Sequence, residues 1–319
     1  MKKLKSNFKL ISTLVLIVFI SFSSCTRDGL ELYSEDFLIH DTSDSDPDPD
    51  PDSDSDSNAA AEAEDEDTGS YTTCNPEGEN ATRTSNDLPN PVNVGTIDDR
   101  TCYANYKEST IDGLTWGIYN ITAGSNNQDA PNTLQPRMER SLPIANVNIG
   151  SFVKFNGDFR ILEVADNGVF GQSGTYIAQA KGQHTGGGGS PDPAICLYRA
   201  HPVYGTGVNA DKQVAFDIYA ERILERGGSG SGREVVFLKQ VDKNEIVSFE
   251  MKVGVKEDPN DATKKIHYCN AIIGGEAFNW DIPEAERGTQ SKIRYGAYRV
   301  RGGRAQIRWA NTTHERVQK

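Results

Sequence analysis

Three stretches of this sequence carry side chains suited to gripping an acid group and moving a proton. The first, residues 135–141, holds Arg137, Glu139 and Arg140. The second, residues 176–184, holds Gln179, Lys181 and His184. The third, residues 292–309, holds Arg294, Tyr298 and Arg301, and its segment 292–308 has six basic residues and no acid. In an extended strand, residues two apart share a face. Arg137 then lies beside Glu139, Gln179 beside Lys181, and Arg294 beside Gly296 and Tyr298. Each stretch offers a polar face of cations, an amide or a phenol, backed by apolar or small residues. As neighbours in one sheet they would form a cationic groove. Gly296, between Arg294 and Tyr298, is expected to leave room for a ligand to approach the sheet. Taken singly, each stretch also has an ordinary reading: an ion pair, a half-buried tyrosine, a solvated basic edge.

A groove of this kind requires a sheet, and the chain supplies strands. Short alternating runs recur at 113–121, 150–154, 159–164, 175–181, 194–199, 213–223, 234–238, 246–255, 265–273, 291–300 and 305–309, separated by Gly, Asn, Asp and Pro. The spacing predicts an all-β fold, a jelly-roll sandwich of two antiparallel sheets. Only 282–287 reads as a helical turn. Dinucleotide, Walker and nucleophile-elbow motifs are missing, and the glycine run 186–189 precedes no helix, so it reads as a loop rather than a phosphate cradle.

The chain has 319 residues and a formal net charge of −13, unevenly spread. From Asp28 to Thr82 there are 19 acidic residues and no Lys or Arg, whereas the remainder to Lys319 holds 28 basic and 27 acidic residues. The acidity therefore describes a tether and not a binding surface. Residues 1–24 combine a basic start, an apolar run too short for a mature membrane span, and small residues before Cys25. That order resembles a bacterial lipoprotein signal, with cleavage before Cys25 and lipidation of its thiol. An exported protein is expected, anchored to the outer membrane through Cys25 and lying at the cell surface or in the periplasm. Residues 25–70, rich in Ser-Asp-Pro-Asp repeats, form an acidic disordered tether, and 71–319 the folded domain. Export leaves four further cysteines for two disulfides, with Cys74–Cys102 and Cys196–Cys269 the favoured pairing.

The order of the three stretches resembles the jelly-roll polysaccharide lyases, the alginate-lyase-like families above all. Those carry an Arg-x-Glu-x-Arg strand, a Gln-x-His strand, and a Lys-Ala-Gly-x-Tyr strand near the C-terminus. Arg137 and Glu139 match the first, with the second arginine one place early at Arg140. Gln179 matches the second, and Lys181 stands where the histidine would be. Arg294, Gly296 and Tyr298 match the third, with Arg for Lys. The Tyr–Lys combination is more similar to the ulvan lyases of marine bacteria. The resemblance implies β-elimination on a uronate-containing anionic polysaccharide, ulvan first, with alginate or glucuronan as alternatives. The expected roles are Arg137 and Gln179 on the carboxylate, Tyr298 as acid to the leaving oxygen, and Lys181 as base or second neutraliser. His184 is a rival base, and Arg294, Glu139, Arg140 and Arg301 are substrate contacts. A monomer is expected, with no metal in the site, no cofactor beyond an open question of structural calcium, and no nucleic-acid partner.

Two rival classes follow from other residues. A glycoside hydrolase needs two facing carboxylates, for which Glu139 and Glu163 are available. A non-catalytic carbohydrate binder would use aromatic platforms such as Trp116, Tyr119, Trp280 and Trp309.

Overall fold

The computed structural model describes residues 92–100, 104–121, 136–186, 194–226, 232–300 and 303–319. The expected signal segment, Cys25, the tether, Cys74, Cys102 and Arg301 lie outside the described residues. Among the described residues the chain forms β1 (Thr96–Arg100), β2 (Ala104–Ile111), β3 (Leu114–Ile121), β4 (Arg137–Ser141), β5 (Phe152–Glu163), β6 (Thr175–Lys181), β7 (Ala194–Tyr204), β8 (Gln213–Ile223), β9 (Arg233–Asp242), β10 (Val247–Asp258), β11 (Asp261–Ile273), β12 (Glu276–Ile282), β13 (Lys292–Arg299) and β14 (Ala305–Val317). The expected helical turn near 282–287 is a single 3-10 turn over Ala285–Arg287.

Two seven-stranded sheets result, ordered β1-β4-β13-β6-β7-β8-β9 and β12-β11-β10-β5-β14-β3-β2. Every pairing within them is antiparallel. The two last strands set the topology. β13 inserts between β4 and β6, and β14 between β5 and β3. Each thereby joins segments far apart in sequence, which gives the all-β jelly roll expected from strand spacing.

Aromatic residues lock the sheets together. Tyr198 and Tyr295 come from the first sheet, and Phe155, Phe159, Phe249 and Trp309 from the second; all are buried. Tyr295 stacks on Phe155 at 4.2 Å and meets Trp309 edge-on at 5.4 Å, while Tyr198 meets Phe249 at 5.6 Å. Offset and edge-on contacts of this kind add to the area that the rings bury. Trp116, Tyr119 and Trp309 are fully buried, so they cannot serve as the sugar platforms considered above. Trp280 is only partly buried, but the Arg222 guanidinium sits 4.7 Å from its ring centre.

The expected Cys196–Cys269 disulfide is not formed. Both residues point into the core as buried free thiols. A hydrogen bond to Cys269 and then burial push the Cys196 thiol well above its ordinary value. Tyr198 Oη lies 3.6 Å from Cys269 Sγ. In this dry setting both cysteines behave as small apolar side chains with weak hydrogen-bonding capacity.

Candidate active site

The outer face of the first sheet, turned away from the core, gathers the three stretches. β13 is the hub. Arg294 pairs with Ser141 of β4 and with Gln179 of β6, Gly296 with Glu139, Tyr298 with Arg137 and Tyr176, and Lys292 with Lys181. Alternation along β13 sends Ile293, Tyr295 and Ala297 into the core. Arg294 and Tyr298 go to the outer face with Arg137, Glu139, Gln179, Tyr176 and Lys181 of the neighbouring strands. The sequence alternation thus places the expected catalytic group on adjacent strands of one face.

Glu139 organises the centre. It is buried, accepts a short hydrogen bond from Gln179 Nε2, and has Arg294 Nη1 3.8 Å from its Oε2. A buried carboxylate needs such partners, and in return it fixes their orientation. The Gln179 amide carries two N–H donors, so one remains after the bond to Glu139. Next to this cluster the Arg137 guanidinium stacks 4.0 Å from the centre of the Tyr298 ring. Tyr176 packs on the other side of Tyr298, with ring centres 5.2 Å apart. Burial and the Glu221 charge raise Tyr176 well above the ordinary phenol range, so it stays neutral. It donates to Glu221 Oε2 at 3.0 Å, while Glu221 Oε1 holds Arg199 Nε at 3.0 Å. Lys181 and Lys292, an opposed pair at the end of β6, extend the cationic face.

The fold departs from several expectations. Arg140 does not line the site. It lies one residue out of phase with Arg137 and Glu139 and turns into the core. There its Nε donates to Tyr119 Oη at 2.9 Å, its Nη1 donates to Gly95 O at 3.2 Å, and its guanidinium sits over Tyr106 at 4.7 Å. Gly296 does not open space for a ligand. Its φ is +141°, and a Cβ there would stand 2.3 Å from Met138 O, so the residue admits the backbone of β4. Glu163 lies on β5 in the other sheet and pairs with Arg304 at 3.2 Å, so it does not face Glu139.

His184 follows β6 and forms an isolated bridge to Gly288, with Nδ1 3.1 Å from Thr185 O. The neighbouring segment is braced by Arg287, whose Nε donates to Thr185 O and whose Nη1 donates to Arg226 O. Behind it lies a buried histidine that the sequence reading passed over. His267 Nε2 is 2.9 Å from Ser291 Oγ, and its Nδ1 is 2.5 Å from Arg226 Nη2. Burial, followed by the charges of Arg226 and Lys265, lowers this imidazole to about 3. It is therefore neutral, accepting from Arg226 and donating to Ser291. Tyr176, Arg199 and Glu221 carry no signal of this grouping in the sequence, since only strand register brings Tyr176 beside Tyr298 and Arg199 and Glu221 beside Tyr176.

The family model of the PL28 ulvan lyases matches residues 62–318. This chain belongs to the PL28 ulvan lyase family. It is 68% identical over 252 residues to an endo-acting ulvan lyase of Formosa agariphila, covering 79% of this chain and 48% of that protein. It is 58% identical over 256 residues to the ulvan lyase NLR42 of Nonlabens ulvanivorans, with the same coverage of 79% and 48%. The chain spans about half the length of these curated relatives. Among solved structures, the alginate lyase of Klebsiella pneumoniae aligns with a TM-score of 0.47 at 12% identity, over 73% of this chain and 92% of that one.

Proposed function

We propose that the chain is a polysaccharide lyase that cleaves ulvan by β-elimination on the outer face of the first sheet. The observation that carries this reading is the pairing of Gln179 and Arg294 on the buried carboxylate of Glu139, directly beside a phenol stacked under Arg137. Family membership and the names of the two curated relatives support the polymer.

The chemistry follows from charge. Removing the C5 proton of a uronate leaves its electron pair conjugated with the carboxyl group, so negative charge grows on those oxygens. Fixed donors lower the barrier where that charge develops. Gln179 and Arg294, held by Glu139, and Arg137 are assigned this task, and arginine offers a two-pronged grip on a carboxylate. A base takes the C5 proton, the C4–C5 double bond forms, and the C4–O4 bond breaks as O4 receives a proton. No water is consumed and nothing is oxidised. Tyr298 is assigned the proton delivered to O4. Lys181, on the same face two residues beyond Gln179, is assigned the base or a second carboxylate contact. Such assistance is worth about 10²–10⁴-fold.

The test is incubation with ulvan, alginate and glucuronan, read by ultraviolet absorbance and by reducing ends. Absorbance from the new double bond, rising with reducing ends and strongest on ulvan, is the expected result. Reducing ends without absorbance would mean hydrolysis and would overturn the proposal. Export and lipidation at Cys25 belong to the same proposal and rest on the order of residues 1–25. The mass of the mature N-terminal peptide checks them.

A further inference from the structure

The outer face continues well past Gln179. Register partners run Arg137, Tyr298, Tyr176, Arg199, Tyr219, Phe237 across β4, β13, β6, β7, β8 and β9. Adjacent strands stand about 4.8 Å apart, so Tyr219 lies roughly 14 Å and Phe237 roughly 19 Å from Tyr298 along this row. One-residue register shifts beside Tyr298, Tyr176 and Tyr219 keep the row aligned.

The chemistry changes along the row. Around Tyr298 it is cationic. Beyond Arg199 it is aromatic. Tyr219 meets Phe237 edge-on at 5.6 Å and Phe170 edge-on at 5.2 Å. The 3-10 turn Phe170–Gln172 brings Phe170 to this face, where His201 packs against it at 4.8 Å. The three rings form a corner, with Tyr219 in edge-on contact with both Phe170 and Phe237. Phe170 is 48% exposed and Phe237 is 53% exposed. The corner is firmly built. Arg199 beneath it is buried, donates to Phe170 O and Ser173 O, and lies 4.7 Å from the Phe170 ring. Glu221 neutralises Arg199, so the corner presents ring surface and not net positive charge. Exposed ring faces carry a negative quadrupole, which suits the C–H groups of a sugar's apolar face.

We propose that Phe170, Tyr219 and Phe237 form a distal subsite that stacks a neutral sugar residue of the same polysaccharide chain whose uronate is held at Tyr298. The inference rests on the lyase reading and adds a binding site remote from the reacting bond. It sets the chain's path across the strands, from β4 toward β9.

The test compares wild type, Phe237→Ala and Phe237→Tyr on ulvan and on size-fractionated ulvan oligosaccharides, together with retardation in native gels containing ulvan. Phe237 is exposed, so the alanine variant is expected to fold, which circular dichroism verifies. Expected is an approximately three- to tenfold higher KM on ulvan for Phe237→Ala with kcat little changed. The effect should fade as the oligosaccharide becomes too short to span from Tyr298, and Phe237→Tyr should restore the wild-type KM. An unchanged KM on ulvan, or an equal rise on the shortest cleaved oligosaccharides, overturns the subsite. A wild type that makes no unsaturated product refutes the lyase reading instead. In that case gel retardation still decides the subsite: weaker retardation of Phe237→Ala supports it, and equal retardation overturns it.

Discussion

Two arginines three positions apart should fail in opposite ways when truncated. Arg140→Ala removes a buried guanidinium that donates to Tyr119 Oη and Gly95 O and lies over the Tyr106 ring. A hydrogen bond from a charged group contributes about 1.5–3 kcal/mol. The ring contact adds about 1 kcal/mol. Tyr119 Oη keeps a second partner, Asn93 Nδ2 at 3.1 Å, which limits the damage. The expected loss is thus about 3–4 kcal/mol, a large share of a typical domain's stability of about 5–15 kcal/mol. In urea the unfolding midpoint should fall by about 1–2 M. The surviving folded enzyme should turn over ulvan at close to the wild-type rate. Arg137→Ala, by contrast, takes away a partly exposed outer-face cation whose contact with the Tyr298 ring is worth about 0.5–1 kcal/mol, so the midpoint should fall by less than about 0.5 M. Its kcat/KM should drop by roughly 10–100-fold, the value of one charged contact. Denaturation followed by fluorescence and initial rates on the same preparations give both numbers. An Arg140→Ala enzyme of full stability and no activity would refute the placement of these two side chains on opposite faces.

Two further outcomes follow from buried groups. His267 is held at about 3 in the fold against an ordinary 6.5, so the unfolded chain binds the extra proton between those values. Its contribution is whole above about pH 6.5 and is lost as pH falls toward 3, at up to about 1.4 kcal/mol per pH unit. His267→Gln should flatten that acid slope in denaturation curves, and an unchanged slope would count against it. Cys196 and Cys269 should resist thiol reagents in the folded protein and both be labelled after denaturation without reductant. A disulfide-linked peptide joining them would contradict the structure.

How much of this was legible in the sequence depends on which interactions decide each residue's place. Alternation along 292–299 was enough to turn Tyr295 inward and Tyr298 outward. The same rule turned Arg140 away from Arg137, but the motif resemblance drew it toward the substrate. Its true partners, Tyr119 and Gly95, lie 21 and 45 positions away. Asn156-Gly157-Asp158 reads as a turn, yet β5 runs straight through it. Gly157 sits where a Cβ would stand 3.2 Å from the Trp309 ring, so packing against a remote strand overrides local preference. Arg199 and Glu221 carried no local signal of their pairing, because it comes from the β7–β8 alignment. Among the aromatics, Trp116, Tyr119, Trp280 and Trp309 read as platforms from the sequence. Trp116 and Trp309 are buried in the second sheet, whereas Phe170 and Phe237 are exposed on the outer face of the first.

The central claim is that a uronate is cleaved by elimination on the face that carries Tyr298, and the paired phenol deletions Tyr298→Phe and Tyr295→Phe test it most directly. Each removes one oxygen and keeps its ring. Tyr295 lies in the core and donates to Val94 O, so its loss should cost about 1 kcal/mol of stability and leave turnover intact. Tyr298→Phe should leave stability and ulvan binding nearly unchanged while lowering kcat for unsaturated product by about 100-fold or more. Measured by ultraviolet absorbance on ulvan, that split is the expected result. A Tyr298→Phe enzyme that forms the double bond at the wild-type rate, above all beside an inactive Tyr295→Phe, would contradict the assignment of the whole face.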